Sequence, residues 1–148
     1  EHERPNYAEW LLNEFGAANT TLSVDKINTN GYVFFAGRIE ARGDIRCKAI
    51  MAGREIEGGR DIEAGCGIEA GWGIEADCGI KAGEGIEAGE GIKAGEGIEA
   101  GEGIEAGEDF GVYAGLAVRL SDKSKYAKIT AKEKPANIIC GEWVPFDD

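Results

Sequence analysis

Glutamate recurs on a fixed beat between Ile62 and Asp109, and that spacing sets the chemical possibilities. Glu63, Glu69, Glu75, Glu87, Glu99 and Glu105 each follow an isoleucine, while Glu84, Glu90, Glu96, Glu102 and Glu108 each follow a glycine. Carboxylates repeated this closely have three uses. They can form a general acid–base pair, cage a hard cation with oxygen, or present rows of negative charge. The first is disfavoured because such pairs occur all along the block and none is singled out. His2 is the only histidine, there is no nucleophile–histidine pair, and no G-x-x-x-x-G-K-[ST] loop exists to cradle phosphate. No enzymatic activity is expected.

A specific metal site is also not expected. Calcium-binding solenoids place Asp in glycine-rich turns on a longer, nine-residue period. Here the corner residue is mostly Glu, and Asp77 and Asp109 stand where the repeat has glycine. Cys47, Cys66, Cys78 and Cys140 form no C-x-x-C pair, so neither a zinc site nor a disulfide framework is indicated. No cofactor is implied. The sparse cysteines and the lack of a membrane-spanning apolar run point to a cytoplasmic protein with no membrane partner.

The element that must position these carboxylates is a hexad, Ile-Glu-Ala-Gly-x-Gly. Isoleucines fall at 56, 62, 68, 74, 80, 86, 92, 98 and 104, with alanine two places later from Ala64 to Ala106. Residues two apart share one face of a strand, so Ile and Ala point inward and the Glu or Lys between them points outward. Gly-x-Gly then supplies a sharp corner, with glycines free to adopt positive φ. A helix would scatter the isoleucines and suffer from every internal glycine. One hexad cannot hold its shape, since burying an Ile gives roughly 2–3 kcal/mol while ordering six backbones costs on the order of 6–12 kcal/mol. Stacking is obligatory.

The expected fold is therefore mainly β: a single-stranded β-solenoid of hexapeptide units. The rhythm extends back through Ile50, Ile45, Ile39 and Val33, and forward through Phe110-Gly-Val112 and Leu116-Ala-Val118, whose larger residues suggest a core that tapers. Three hexads per coil place Lys81 between Glu63 and Glu99 and Lys93 beside Glu75, which are favourable neighbours. Two per coil would stack Lys81 on Lys93 and Cys66 on Cys78. Three is the preferred reading. Residues 1–32 form an N-terminal capping segment with a short helix, on which Pro5, Tyr7, Trp10, Leu11 and Phe15 are suitably spaced and which Gly16 stops. The solenoid occupies 33–121, and 122–148 is a strand-bearing C-terminal cap.

The stretches Gly43-Asp-Ile-Arg-Cys47 and Gly59-Arg-Asp-Ile-Glu-Ala64, followed by repeated Gly-x-Gly-Ile-Glu-Ala, resemble the coils of bactofilin-type, polymer-forming β-solenoids. The resemblance covers roughly residues 33–121. It implies a triangular β-helix and filament formation.

Charge is the remaining clue. The chain carries a net −12, and the block from Ile62 to Asp109 holds thirteen acids against Lys81 and Lys93. Stacked coils lie ~4.8 Å apart, so each pair of stacked glutamates repels by about 0.8–1 kcal/mol even at the dielectric of water. The plainest use of such charge is to keep a repetitive β-protein soluble. A sharper one is imitation of nucleic acid, because the block's charge per unit length matches or exceeds duplex DNA's roughly one per 1.7 Å. The expectation is a non-enzymatic acidic binding protein whose eleven glutamates meet a basic nucleic-acid-binding protein, with Trp72 as an aromatic anchor. Small acidic inhibitors of the anti-CRISPR and anti-restriction type work in this way as a class. Such a protein would bind no nucleic acid itself and would be a monomer or homodimer. The alternative is a structural or assembly module of the bactofilin kind.

Overall fold

The computed structural model describes residues 21–116 and 127–145. The N-terminal helix expected before Thr21 lies outside the described residues. What is described is a parallel β-solenoid in which three short strands, one per face, make each coil. The first coil is β1 (Thr21–Val24), β2 (Ile27–Asn28) and β3 (Tyr32–Phe35). The second is β4 (Arg38–Ala41), β5 (Ile45–Cys47) and β6 (Ala49–Ala52). The third is β7 (Ile56–Gly58), β8 (Ile62–Ala64) and β9 (Ile68–Ala70). Coils four and five repeat the pattern as β10 (Ile74–Ala76), β11 (Ile80–Ala82), β12 (Ile86–Ala88), then β13 (Ile92–Ala94), β14 (Ile98–Ala100), β15 (Ile104–Glu105). Beyond them come β16 (Val112–Tyr113), β17 (Lys128–Ala131), β18 (Ile138–Cys140) and β19 (Glu142–Pro145).

Sheet 1 stacks β1-β4-β7-β10-β13-β16-β18, sheet 2 stacks β2-β5-β8-β11-β14-β17-β19, and sheet 3 stacks only β3-β6-β9-β12-β15. Register is strict in the repeat: Ile74 pairs with Ile92, Ile80 with Ile98 and Ile86 with Ile68. Isoleucine columns therefore run up all three faces, and Ile39, Ile56, Ile62 and Ile92 are fully buried. The three-hexad coil is the observed one. Lys81 stands between Glu63 and Glu99, and the two cysteines do not stack: Cys66 donates its N–H to Lys48 O, whereas Cys78 donates to Arg60 O. The ladder also runs beyond residues 33–121, since β1, β2 and β17–β19 join the same sheets.

Two expectations are corrected. Repeat glycines do not supply positive φ; among the described residues only Gly115 (φ 82°) and Gly141 (φ 114°) have it. The first glycine of several corners is needed for space, although Gly65 has room and Asp77 fills the same slot. A Cβ on Gly83 would lie 2.1 Å from Gly65 O, and one on Gly89 2.1 Å from Gly71 O. The corner backbone of one coil rests directly on that of the coil before it. The second glycine has more room, with Gly85 3.7 Å from Gly103 O, and the earlier coils use Glu55 and Asp61 in that slot. Asp61 turns this to use: its backbone N–H donates to Asp44 Oδ1, and its own Oδ1 accepts from Gly79 N–H at 2.8 Å.

The second correction concerns the C-terminal end. Phe110 and Leu116 do not fill a tapering core; both are about half exposed. Val112 takes the isoleucine column instead, pairing with Ile92, because two extra residues enter the corner before it. After β17 the chain crosses sheet 3 through residues 132–137 without forming a strand, then resumes sheet 1 as β18. Asn137 secures that crossing by donating its side-chain amide to Gly107 O at 2.9 Å and Phe110 O at 2.6 Å.

Candidate functional site

The strands sort the predicted glutamates by face. On sheet 1 the outward column reads Glu40, Glu57, Glu75, Lys93, Tyr113. On sheet 2 it reads Asn28, Arg46, Glu63, Lys81, Glu99, Thr130. Both columns mix signs. Arg46 Nε donates to Glu63 at 3.1 Å, and Arg38 reaches Glu55, Glu57 and Glu40 at once. Its hydrogen bond to Glu57, against the cost of burial, holds the Arg38 guanidinium above its ordinary pKa.

Sheet 3 differs. Its outward column runs Phe34, Met51, Glu69, Glu87, Glu105, with no cation in the strand positions. The corners on either side continue the acid. Between sheets 2 and 3, Glu84 donates its N–H to Cys66 O and Glu102 donates to Glu84 O, both at 2.9 Å, so this corner climbs as an unbroken column. Between sheets 3 and 1, Glu90 stacks on Trp72 in the same way, with Glu108 beyond it. Seven of the eleven expected residues (69, 84, 87, 90, 102, 105 and 108) thus share one side. Glu63, Glu75 and Glu99 stand beside cations on the other two sheets, and Glu96 lies on the far corner above Cys78.

Basic residues bracket the acidic side. Lys48 and Arg54 occupy its corners in the second coil, and Lys132 stacks on Glu102, donating its N–H to Glu102 O. Trp72 is 39% exposed, and the Arg54 guanidinium lies 4.2 Å from its ring centroid. That cation–π contact (worth about 0.5–1 kcal/mol at an exposed site) fixes the indole beside the acidic band. Sequence reasoning missed Arg38, Arg46 and Arg54. The available signal was their offset of seventeen or eighteen residues from Glu55, Glu63 and Trp72, which an 18-residue coil converts into contact.

A groove of about 710 Å3 runs along sheet 3. Its floor is apolar at the first coils, where Tyr32, Phe34 and Met51 lie half-buried and the Tyr32 and Phe34 ring centroids are 6.0 Å apart. It becomes acidic at Glu69, Glu87 and Glu105, and residues 133–136 overhang its far end.

Two of the four cysteines have thiols held toward the protonated, less reactive form. Burial pushes the Cys47 thiol up to about 11, and burial together with Asp61 raises Cys78. Among the described residues, no three His, Cys, Asp or Glu side chains gather as a metal would require. The chain matches no family model, no curated protein and no solved structure. Its place among β-solenoids rests on the architecture itself.

Proposed function

We propose that this protein is a non-enzymatic acidic binding module that imitates nucleic acid and occupies the basic groove of a DNA- or RNA-binding protein. One observation carries the reading: in the strand register cations interrupt the carboxylates on sheets 1 and 2, whereas sheet 3 carries Glu69, Glu87 and Glu105 in succession, with further glutamates at its two corners. Seven acids over three coils, roughly 14 Å at the strand spacing, amount to about one charge per 2 Å, near the roughly one per 1.7 Å of duplex DNA. They ride on a stacked backbone, so a partner need not order them on binding. Steering by such a field speeds encounter and makes it sensitive to salt. Inhibitors of the anti-CRISPR and anti-restriction type are the class of protein this reading suggests.

The test is capture from a nucleic-acid-binding extract at low and high salt, followed by Glu84→Gln, Glu90→Gln and Glu102→Gln together. A basic partner retained at about 50 mM salt, released at about 500 mM and lost in the triple variant supports the proposal. Capture that is indifferent to both refutes it. A second reading, assembly in the manner of bactofilins, is favoured by the outer edges of β18 and β19, which pair with no further strand among the described residues, and by Ile139, 63% exposed on the last coil. Light scattering that grows with protein concentration would favour assembly over mimicry.

A further inference from the structure

Sheet 2 carries a charge pattern that is complementary to itself when reversed. From the first coil to the sixth, its outward column reads Asn28, Arg46, Glu63, Lys81, Glu99, Thr130. Four charges of alternating sign are bounded by an uncharged residue at each end. Because the number of charges is even, turning the column end over end sets every charge opposite one of the other sign. We propose that this face is the interface of a homodimer. Two solenoids lie antiparallel, sheet 2 against sheet 2, about a two-fold axis running along the strands between β8 and β11.

Charge selects both the face and the register. About that axis Arg46 meets Glu99 of the second copy and Glu63 meets its Lys81, each pair occurring twice. Sliding by one coil brings Glu63 onto Glu63 or Lys81 onto Lys81, and parallel copies set like on like throughout. The same reversal would set Glu57 against Glu75 on sheet 1 and Glu69 against Glu87 on sheet 3, so neither of those faces can serve.

The flanks agree. In the outward position two residues earlier, Asp44 and Asp61 fall opposite Gly97 and Gly79, which line a hollow of about 320 Å3 on this face. At the corner between sheets 2 and 3, Lys48 falls opposite Glu102. Lys26 and Lys128 meet at the outer ends, each beside an acid of its own chain, Asp44 and Glu142. Arg46 and Glu63, though paired at 3.1 Å, keep 54% and 45% of their side chains exposed, and Lys81 is exposed. Six coils make a face ~24 Å tall, and about five residues across make it ~17 Å wide. The resulting ~400 Å2 per copy is half the roughly 800 Å2 of a standard interface, so the dimer is weak and reversible. Its two-fold sets both copies' sheet 3 on one side and requires nothing of the partner that sheet 3 meets.

Sedimentation equilibrium of the full chain at ~150 mM NaCl tests it, since a Debye length of ~8 Å screens the remote acids of sheet 3 more than touching pairs. Between ~10 and ~500 µM, a range suited to so small an interface, the mass should rise from 15.7 kDa towards twice that value. Glu63→Lys and Lys81→Glu should each stay monomeric, because each sets two like-charge pairs across the axis. Mixed one to one, the two variants present only opposite pairs and should associate. So should the chain carrying both substitutions. Circular dichroism shows whether each variant is folded. Should Lys81→Glu not fold, Lys81→Gln should raise the parent's dissociation constant about three- to thirtyfold, and an unchanged constant overturns the proposal. A parent that stays at 15.7 kDa, single variants that dimerise as the parent does, or folded variants that ignore each other also overturn it. Mass climbing past two copies overturns it in favour of end-to-end assembly.

Discussion

Two glycines in one corner should respond oppositely to the same substitution. Gly83 and Gly85 flank Glu84, and neither has positive φ. An alanine Cβ at Gly83 would sit 2.1 Å from Gly65 O and 3.1 Å from Gly65 C, both backbone atoms of the preceding coil. Relief needs a shift of about 1 Å between coils, since C···O contacts favour roughly 3.2 Å or more. That shift strains the bonds from Gly83 N–H to Ala64 O (3.0 Å) and from Glu84 N–H to Cys66 O (2.9 Å). Two weakened backbone bonds at about 1 kcal/mol each, with about 1–3 kcal/mol of overpacking, give a loss of about 3–5 kcal/mol for Gly83→Ala. Gly85→Ala meets only Gly103 O at 3.7 Å and restricts the unfolded chain. It should be neutral or stabilising by up to about 1 kcal/mol. Urea unfolding followed by far-ultraviolet circular dichroism measures both; in heat, the first variant should melt on the order of 10 °C lower. Equal losses for the two variants would refute the close-approach account and restore a conformational role for both glycines.

Lys81→Glu converts an alternating column on sheet 2 into three adjacent acids, losing two attractions and gaining two repulsions, and should cost up to about 3–4 kcal/mol at low salt. The difference should shrink as NaCl is raised from ~10 to ~500 mM, read as melting temperature. Asn137→Ala removes both bonds that secure the crossing over sheet 3 and should cost about 1–3 kcal/mol, with exchange at the Val112 amide rising first. In native protein at pH 8, iodoacetamide should modify Cys66 or Cys140 before Cys47, by peptide mapping. Because the Cys47 thiol is raised to about 11 from an ordinary value of 9.0, the unfolded chain loses its proton first. Stability should therefore be intact below about pH 9 and decline as pH climbs towards 11. A Cys47→Ser variant should show a smaller decline.

Ile-x-Ala alternation and the Lys81–Glu63–Glu99 relation were enough to read the coil, its three faces and its core, because burial and like-charge avoidance both depend on a simple period. The corner glycines were legible as corners but not for their reason, since closeness to the previous coil is a tertiary distance with no signature in one hexad. The C-terminal end was obscured by its irregularity. Two extra residues before Val112 moved Phe110 out of the column it seemed to continue, and β17 to β19 carry no hexad rhythm. For the candidate surface, the eleven glutamates were visible, and the three-hexad coil already set Glu63, Glu75 and Glu99 beside lysines. What went unread is that Glu69, Glu87 and Glu105 follow one another on the third face with no lysine or arginine between them in the strand register.

Sheet 3 ends at β15 while its neighbours continue, which constrains how this gene can change length. Tandem copies invite slippage during replication, yet gain or loss of one hexad would turn everything downstream by about a third of a revolution. Asn137 would then meet the wrong corner, and charged rows would be shuffled between sides. Only steps of three hexads preserve the fit, so viable length variants should differ by multiples of eighteen residues and carry a taller or shorter acidic side under an unchanged roof.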